Sequence, residues 1–255
     1  MATVDLNTDC GESFGPWVMG ADDEILKIVT SANIACGFHA GDPDTMAQTI
    51  RTAAANNVAI GAHPGFDDKK GFGRRPIPMS AREITRMVAY QIGAAVAMAS
   101  LEGARVTHVK AHGALSNLAS ADRTAADAVA AAVRGVDPSL TLLAVATTAL
   151  EDAGHAAGLP VAAEIFADRA YEPDGQLVSR AKPGAMVHDP DEAAAGVVRM
   201  VEAGAIFAHD GSRLPTAIHS ICVHGDSAAA VSIARAVRAA LTEAGVTIAP
   251  FVPRG

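Results

Sequence analysis

The stretch VKAHGALSN, Val109 to Asn117, sets Lys110 and His112 two residues apart, after an apolar lead and beside a glycine. Neither side chain is easily buried, because a charge or an imidazole taken out of water needs a partner. Five further stretches pose the same question. NTDCGE carries Asp9 and Glu12, CGFHAGD carries His39 and Asp42, and GAHPGFDD carries His63 and Asp67. EIFADRAYE carries Glu164, Asp168 and Arg169, and VHGDS carries His224 and Asp226. Taken singly, each histidine is an ordinary hydrogen-bonded core or loop residue. Taken together, the carboxylates, imidazoles and lysine suit general acid–base work, with Lys110 neutralising an oxyanion or acting as a base of depressed pKa. Asp9, His39 and His63 also have the donor types that bind Zn, Mn or Mg with one position left open for water.

These groups need elements that gather them. Short β-rich runs alternate with helical periodicity, which predicts strands near 3–8, 32–36, 58–62, 106–110, 140–145, 161–166 and 218–223, with weaker ones at 205–208 and 246–249. Asp42 and Asp189 each precede a proline suited to a first helical position, Ser80 and Glu83 form a capping box, and Gly103, Gly135 and Gly245 suit helix ends. Every reactive stretch follows an expected strand, whereas the opposite strand ends read mostly as alanine, valine and glycine. In parallel β/α folds the loops at the C-terminal strand ends converge on one face, and that face holds the active site. The unbroken βαβα rhythm therefore predicts one domain over residues 1–255, an α/β fold of the (β/α) barrel type, seven-stranded or irregular and TIM-like, with a doubly wound open sheet as the alternative. If the fourth strand continues through His112, Lys110 and His112 share a face at the barrel mouth. His155 and His188 are expected on the solvent side, and His108 and His219 within strands.

Two long loops complete the set of reactive groups. GFDDKKGFGRRPIPM, residues 65–79, offers Arg74 and Arg75 to an anion, and EIFADRAYEPDGQLVSRAKPGAM, residues 164–186, offers Arg169, Arg180 and Lys182. The chain has 255 residues, half of them hydrophobic, and a formal net charge of -8, which argues against nucleic acid or an anionic membrane as partner. It shows no leader-like start and its apolar stretches read as too interrupted to span a bilayer, so a cytoplasmic protein is expected. Cys10, Cys36 and Cys222 form neither a disulfide framework nor a zinc knuckle; each lies beside a strand end where a thiol could act, but burial as a small hydrophobe is the expectation.

HExxH, GxSxG, GxGxxG and GxxxxGK[ST] are all absent, which disfavours the common metalloprotease, serine hydrolase, dinucleotide-binding and Walker-type readings. Instead VDLNTDCGE, NIACGFHAGD, GAHPGFDD with GFGRR, VKAHGALSN, EIFADRAYEPDGQLVSR and CVHGDS follow one another in the order of the LamB/YcsF family, which the chain resembles through nearly its whole length. The resemblance implies the seven-stranded β/α barrel of the glycoside hydrolase/deacetylase superfamily. It also implies ATP-dependent opening of the lactam of 5-oxo-L-proline to L-glutamate, in a complex with 5-oxoprolinase subunits B and C.

On this reading Asp9, Glu12, His39, His63, Lys110 and His112 are the expected catalytic residues. Asn7, Arg74, Asn117, Glu164, Asp168, Arg169, Arg180 and His224 are expected on the substrate. ATP is expected at a site shared with the partner subunits, and a divalent metal on Asp9, His39 and His63. The family usually has proline and tyrosine where this chain has Ala111 and Ser116. Two other readings stay open: a metal-dependent hydrolase or deacetylase of small amides or sugars acting without ATP, and a non-catalytic substrate-binding subunit. Replacing Lys110 by Met is expected to abolish turnover and leave the fold intact.

Overall fold

The computed structural model describes residues 2–225 and 229–251. Its strands are β1 (Thr3–Cys10), β2 (Ser31–Ala35), β3 (Ala59–His63), β4 (Val106–Lys110), β5 (Thr141–Val145), β6 (Val161–Phe166), β7 (Ala205–Phe207), β8 (Arg213–Pro215), β9 (Ser220–His224) and β10 (Thr247–Ile248). Its helices are α1 (Asp22–Ile25), α2 (Pro43–Ala55), α3 (Ala81–Leu101), α4 (Gly113–Ala121), α5 (Arg123–Val136), α6 (Ala149–Ala156), α7 (Pro190–Ala203) and α8 (Ala230–Glu243). β1 to β6 and then β9 pair in parallel, and β9 returns to β1 to close a seven-stranded barrel. The short β10 adds to β1 at Thr3 and Val4, while β7 and β8 form a separate antiparallel pair.

Period-two alternation divides each strand between two environments. Outward residues, among them Leu6, Ile34, Ile60, Val109, Leu142, Ile165 and Ile221, are buried in one apolar cluster with the inner faces of the helices. Burying such a side chain contributes about 1.5–3 kcal/mol each, so this shell holds the fold together. The helices start where their caps dictate: Asp42 accepts from the Thr45 amide, Asp189 from the Asp191 and Glu192 amides, and Ser80 forms a full capping box with Glu83. α3 is 21 residues long and apolar enough to cross a bilayer by length and composition, contrary to the interrupted reading. In this fold Ile84, Val88, Ile92, Ala95 and Ala99 of α3 belong to the buried shell.

The barrel interior is polar rather than a stack of aliphatic layers. Asp5, Asn7 and Asp9 of β1, Ser31 and Asn33 of β2, His108 and Lys110 of β4, Glu164 of β6 and Ser220 of β9 are all buried. Gly61 makes room for them, since a Cβ there would lie 2.2 Å from His108 Nε2. Val145, Phe166 and Cys222, packed with Leu177, form a small apolar group apart from the shell. A register shift at Ile60/Gly61 aims β4: Val106 pairs with Ile60, His108 with Gly61, and Thr107 is the extra residue of a bulge. Val106 therefore joins the outer shell while His108 and Lys110 turn inward.

Several expectations change. The N-terminal strand ends are not bland, because the Asp5 carboxylate there accepts from Thr30, Ser31 and Ser220 hydroxyls. β4 ends at Lys110, so His112 is not on the strand but is the N-cap residue of α4, a helix the periodicity did not reveal. Gly135 lies inside α5 rather than at its end. β8 and its pairing with β7 were not expected. His155 and His188 are exposed as expected; His108 is interior, but His219 is exposed just ahead of β9. Asp226 lies outside the described residues.

Burial pushes the Asp5 carboxyl up from 3.8 to about 6, against the pull of its three hydroxyl donors. The folded protein therefore holds a proton on Asp5 between about pH 4 and 6 where the unfolded chain has lost it, so this group's stabilising share falls as pH rises through that window. Asp5→Asn removes the ionisation. Its unfolding free energy relative to the parent should be about 2–3 kcal/mol larger, that is more stable, at pH 7.5 than at pH 4, as read by urea denaturation.

Candidate active site

At the C-terminal strand ends the interior opens into a cavity of about 420 Å³. Its floor is Asp9, His63, Lys110 and Phe166, and its walls include Ala111 to Ala114, Ser116, Asn117 and His224. Arg74 comes from the first long loop; Arg169, Ser179 and Arg180 come from the second.

Lys110 organises the floor. Its ammonium lies 2.9 Å from Asp9 Oδ1, 2.9 Å from Glu164 Oε1, 3.1 Å from Cys222 Sγ and 3.5 Å from Asn7 Oδ1. Burial alone would lower the Lys110 pKa, but Asp9, Cys222 and Glu164 outweigh it and hold it well above 10.5. Burial likewise favours a neutral Asp9, yet Lys110 and His63 overcome that and hold its carboxyl well below 3.8. Glu164 shifts the other way, raised by burial despite Lys110. Amides fix the geometry: Asn33 donates to Asp9 Oδ1 at 2.9 Å and to Asn7 Oδ1 at 2.8 Å, and Asn7 donates to Glu164 Oε1 at 2.9 Å. His108, driven down to about 3 by burial and Lys110, is neutral and donates from Nε2 to Asn33 Oδ1 at 3.0 Å.

Above this floor stand the other histidines. His63 Nδ1 lies 2.8 Å from the Lys110 carbonyl, which only accepts, so Nδ1 carries a proton and donates it there. That Nε2 is buried without a hydrogen-bond partner and lies 3.5 Å from Asp9 Oδ2. His39 Nε2 is 3.2 Å and His112 Nε2 3.9 Å from Glu12 Oε1, and burial keeps both imidazoles neutral, well below the usual histidine range. The two rings stack with centroids 3.7 Å apart and planes within 8°. Gly73, at φ +61°, closes over them; a Cβ there would be 2.6 Å from His39 Cβ and 2.7 Å from His112 Nδ1.

Donor atoms of Glu12, His39, His63 and His112 lie within 4.8 Å of one another, near enough to share a metal ion. Asp9, expected as a ligand, is outside that group and faces Lys110. His63 has what a ligand needs, an Nε2 without a hydrogen-bond partner and an Nδ1 fixed by a carbonyl. A metal–imidazole bond lies in the ring plane at about 2.1 Å, so two parallel stacked rings do not both point at one ion. The residues therefore fit a metal through Glu12, His63 and one ring of the stacked pair.

The cavity wall distributes the remaining expected residues. Asn117 and Arg180 line it, as does Arg74, whose guanidinium lies over the Phe72 ring at 4.8 Å. His224 Nδ1 donates to Asp168 at 2.8 Å and its Nε2 accepts from Arg180 at 3.2 Å, so Asp168 orients Arg180 through an imidazole. Arg169 also lines the cavity, yet it donates to the carbonyls of Val178 and Ala185, which folds the second loop back on itself. Asn7 and Glu164 lie beneath the cavity and support Lys110 rather than line it. Arg75 points away and pairs with Asp68, while Lys182 pairs with Glu172 at 2.7 Å. The three cysteines are buried, and burial pushes the Cys36 thiol to about 12 and holds the other two well above 9, so none is a ready thiolate. The sequence reading missed Asn33, Phe166, Ser179 and the N-terminal end of α4; Asn33 alone had a signal, its inward parity with Ser31. The first turn of α4 faces the cavity, and its partial positive charge favours an anion there.

Lys110 balances two buried carboxyl groups, so Lys110→Met should do more than stop turnover, contrary to the intact fold expected above. Loss of an ion-pair partner in a buried site costs about 3–5 kcal/mol, and calorimetry should show a matching fall in melting temperature. The double variant Lys110→Met/Glu164→Gln should recover part of that loss.

The sequence profile of the LamB/YcsF family matches residues 4–254. The A component of a 5-oxoprolinase from Rhodopseudomonas palustris (strain BisA53) is 56% identical over 252 residues, covering 98% of this chain and 99% of that protein. The crystal structure of a lactam utilization protein from Thermus thermophilus superposes with a TM-score of 0.90 at 46% identity, covering 97% and 99% of the two chains. The catalytic domain of a peptidoglycan N-acetylglucosamine deacetylase from Eubacterium rectale gives a TM-score of 0.53 at 11% identity, covering 99% and 91%, a likeness of fold alone. With the family's profile spanning nearly the whole chain and a relative of matching length more than half identical, this chain belongs to the LamB/YcsF family.

Proposed function

We propose that the chain opens the lactam ring of 5-oxo-L-proline to L-glutamate as one subunit of an ATP-dependent 5-oxoprolinase, working with subunits B and C. The observation that carries the reading is a single cavity with an arginine-bearing wall above a floor of Lys110, Asp9 and His63, whose Nε2 makes no hydrogen bond. Arg74 and Arg180 suit the substrate carboxylate, since guanidinium pairs with carboxylate through two parallel N–H donors. Lys110 lies beneath the lactam carbonyl; Cys222 Sγ is the weakest of its acceptors, and a developing oxyanion replaces it. A water between Asp9 and His63 gives its proton to Nε2 and attacks the carbonyl carbon, and the same proton passes to the departing ring nitrogen. The relatives' designation as one lettered component of a 5-oxoprolinase supports both the substrate and a multi-subunit assembly.

A five-membered lactam is a stable amide, and coupling to ATP drives its opening. Transfer of the γ-phosphoryl group to the lactam oxygen releases ADP and activates the carbon. Water then adds, the C–N bond breaks as nitrogen takes a proton, and a second water converts the resulting acyl phosphate into glutamate and inorganic phosphate. The nucleotide site is completed by the partner subunits.

One observation favours a second reading, hydrolysis of a small amide without ATP: the gathered donors of Glu12, His39, His63 and His112. A divalent ion there would polarise a carbonyl and lower the pKa of a bound water.

Release of glutamate and phosphate in a one-to-one ratio is expected from 5-oxoproline and ATP only when the chain is combined with B and C. Stoichiometric metal in the purified chain, with ATP-free hydrolysis that a chelator abolishes, would establish the second reading instead. In the assembled enzyme, Arg180→Ala should raise the KM for 5-oxoproline at least tenfold and lower kcat less.

A further inference from the structure

Beyond the end of β1 at Cys10 the chain runs on through Gly11 and Glu12 into an apolar tip that the mechanism leaves unused. Trp17 is 68% exposed and Val18 86%, with Phe14 and Met19 next to them at 39% and 37%. The tip is rigid. Phe14 and Trp17 exchange both backbone hydrogen bonds at 2.9 and 3.0 Å, and their rings lie parallel within 4°. The Gly15 amide donates to Asp42 at 2.7 Å, and the Lys69 ammonium covers the Phe14 ring at 3.5 Å. A fixed tip presenting a tryptophan loses little entropy on docking, the property of an interface anchor rather than of a mobile lid. Val18 and Met19 also wall a groove of about 480 Å³ whose far side carries Asp23, Glu24 and Asp44, all exposed. On a chain of net charge -8, that groove suits an occupant with an apolar knob or socket bordered by lysine or arginine.

We infer that the tip at residues 14–19, with the acidic groove beside it, is the docking surface for the partner subunits, which thereby sit at the rim of the cavity. The inference rests on the reading of the chain as one subunit of a multi-subunit 5-oxoprolinase. Its place argues for that occupant rather than for a second copy of the chain. The surface is continuous with the strand that carries Asp9 and leads into Glu12, and an acidic groove repels its own duplicate while attracting a basic partner.

The test uses the full chain with purified B and C subunits and two variants, Val18→Asp and Asp23→Lys/Glu24→Lys. Both alter exposed side chains, so circular dichroism and melting temperature should match the parent. Calorimetric titration should show association with B and C weakened at least tenfold in each. Turnover of 5-oxoproline should fall at limiting B and C and recover when they are in excess, with binding of 5-oxoproline to the isolated chain unchanged. Parent-like titration of both variants would overturn the inference. So would absence of any association by the parent chain, or self-association of the parent that Val18→Asp dissolves. If B and C bind the parent and Val18→Asp weakens them, yet the assembly releases no glutamate, the docking surface stands and the catalytic reading falls.

Discussion

One ammonium group sets the terms for the rest of this barrel. Lys110 stands between Asp9 and Glu164 with each carboxylate 2.9 Å away, in a lumen from which water is largely excluded. A lone charge there would be prohibitively unstable; an ammonium paired with two carboxyl groups is not, even though Glu164 Oε2 makes no hydrogen bond. Most of the neighbouring interior residues serve that balance. Asn33 and Asn7 donate to the same carboxylate oxygens that the lysine approaches, Asp9 Oδ1 and Glu164 Oε1, Gly61 yields space to His108, and His108 stays neutral to hold Asn33 in place. The outcome is a floor on which Asp9 remains ionised beside an imidazole nitrogen that makes no hydrogen bond.

Stability and chemistry occupy opposite faces of the same ribbons. The apolar shell between strands and helices is continuous, and its residues alternate with those of the lumen except at the Thr107 bulge. The lumen contributes little net stability, because its hydrogen bonds replace equally good ones to water. What it adds is position, and position is what a reaction on an unreactive amide requires. The two long loops and the first turn of α4 then set cationic groups and a helix end around the opening, giving one side of the cavity a uniform preference for negative charge. The likeness to a deacetylase at 11% identity reaches only as far as the barrel, and the lysine-centred floor must be judged on its own residues.

Much of this was legible in the sequence. Nine expected strands occur within a few residues of their predicted places, and the caps at Asp42, Ser80 and Asp189 act as read, because periodicity and capping are local. The gathering of Asp9, His63, Lys110, His112 and His224 at one cavity followed from parallel topology. What stayed hidden was non-local. That Glu12 rather than Asp9 joins the histidines depends on which carboxylate Lys110 claims, a contact between strands far apart in the chain. α4 was hidden because it follows β4 after only Ala111 and His112 and shares Asp122 with α5, as the C-cap of one and the N-cap of the other. The roles of Asn7 and Glu164 beneath the cavity depend on depth along the barrel axis, which hydropathy does not encode.

Thr107 carries a wider consequence. In VTHVK, Val106, His108 and Lys110 alternate as though they shared one side of a ribbon, yet the unpaired threonine puts Val106 among the helices and the other two in the lumen. The aim of the lysine is thus encoded by a count of residues rather than by any side chain's chemistry. A barrel of this kind can lose or gain its central cation through a change in spacing alone, so that two chains sharing every reactive residue type need not share a reaction.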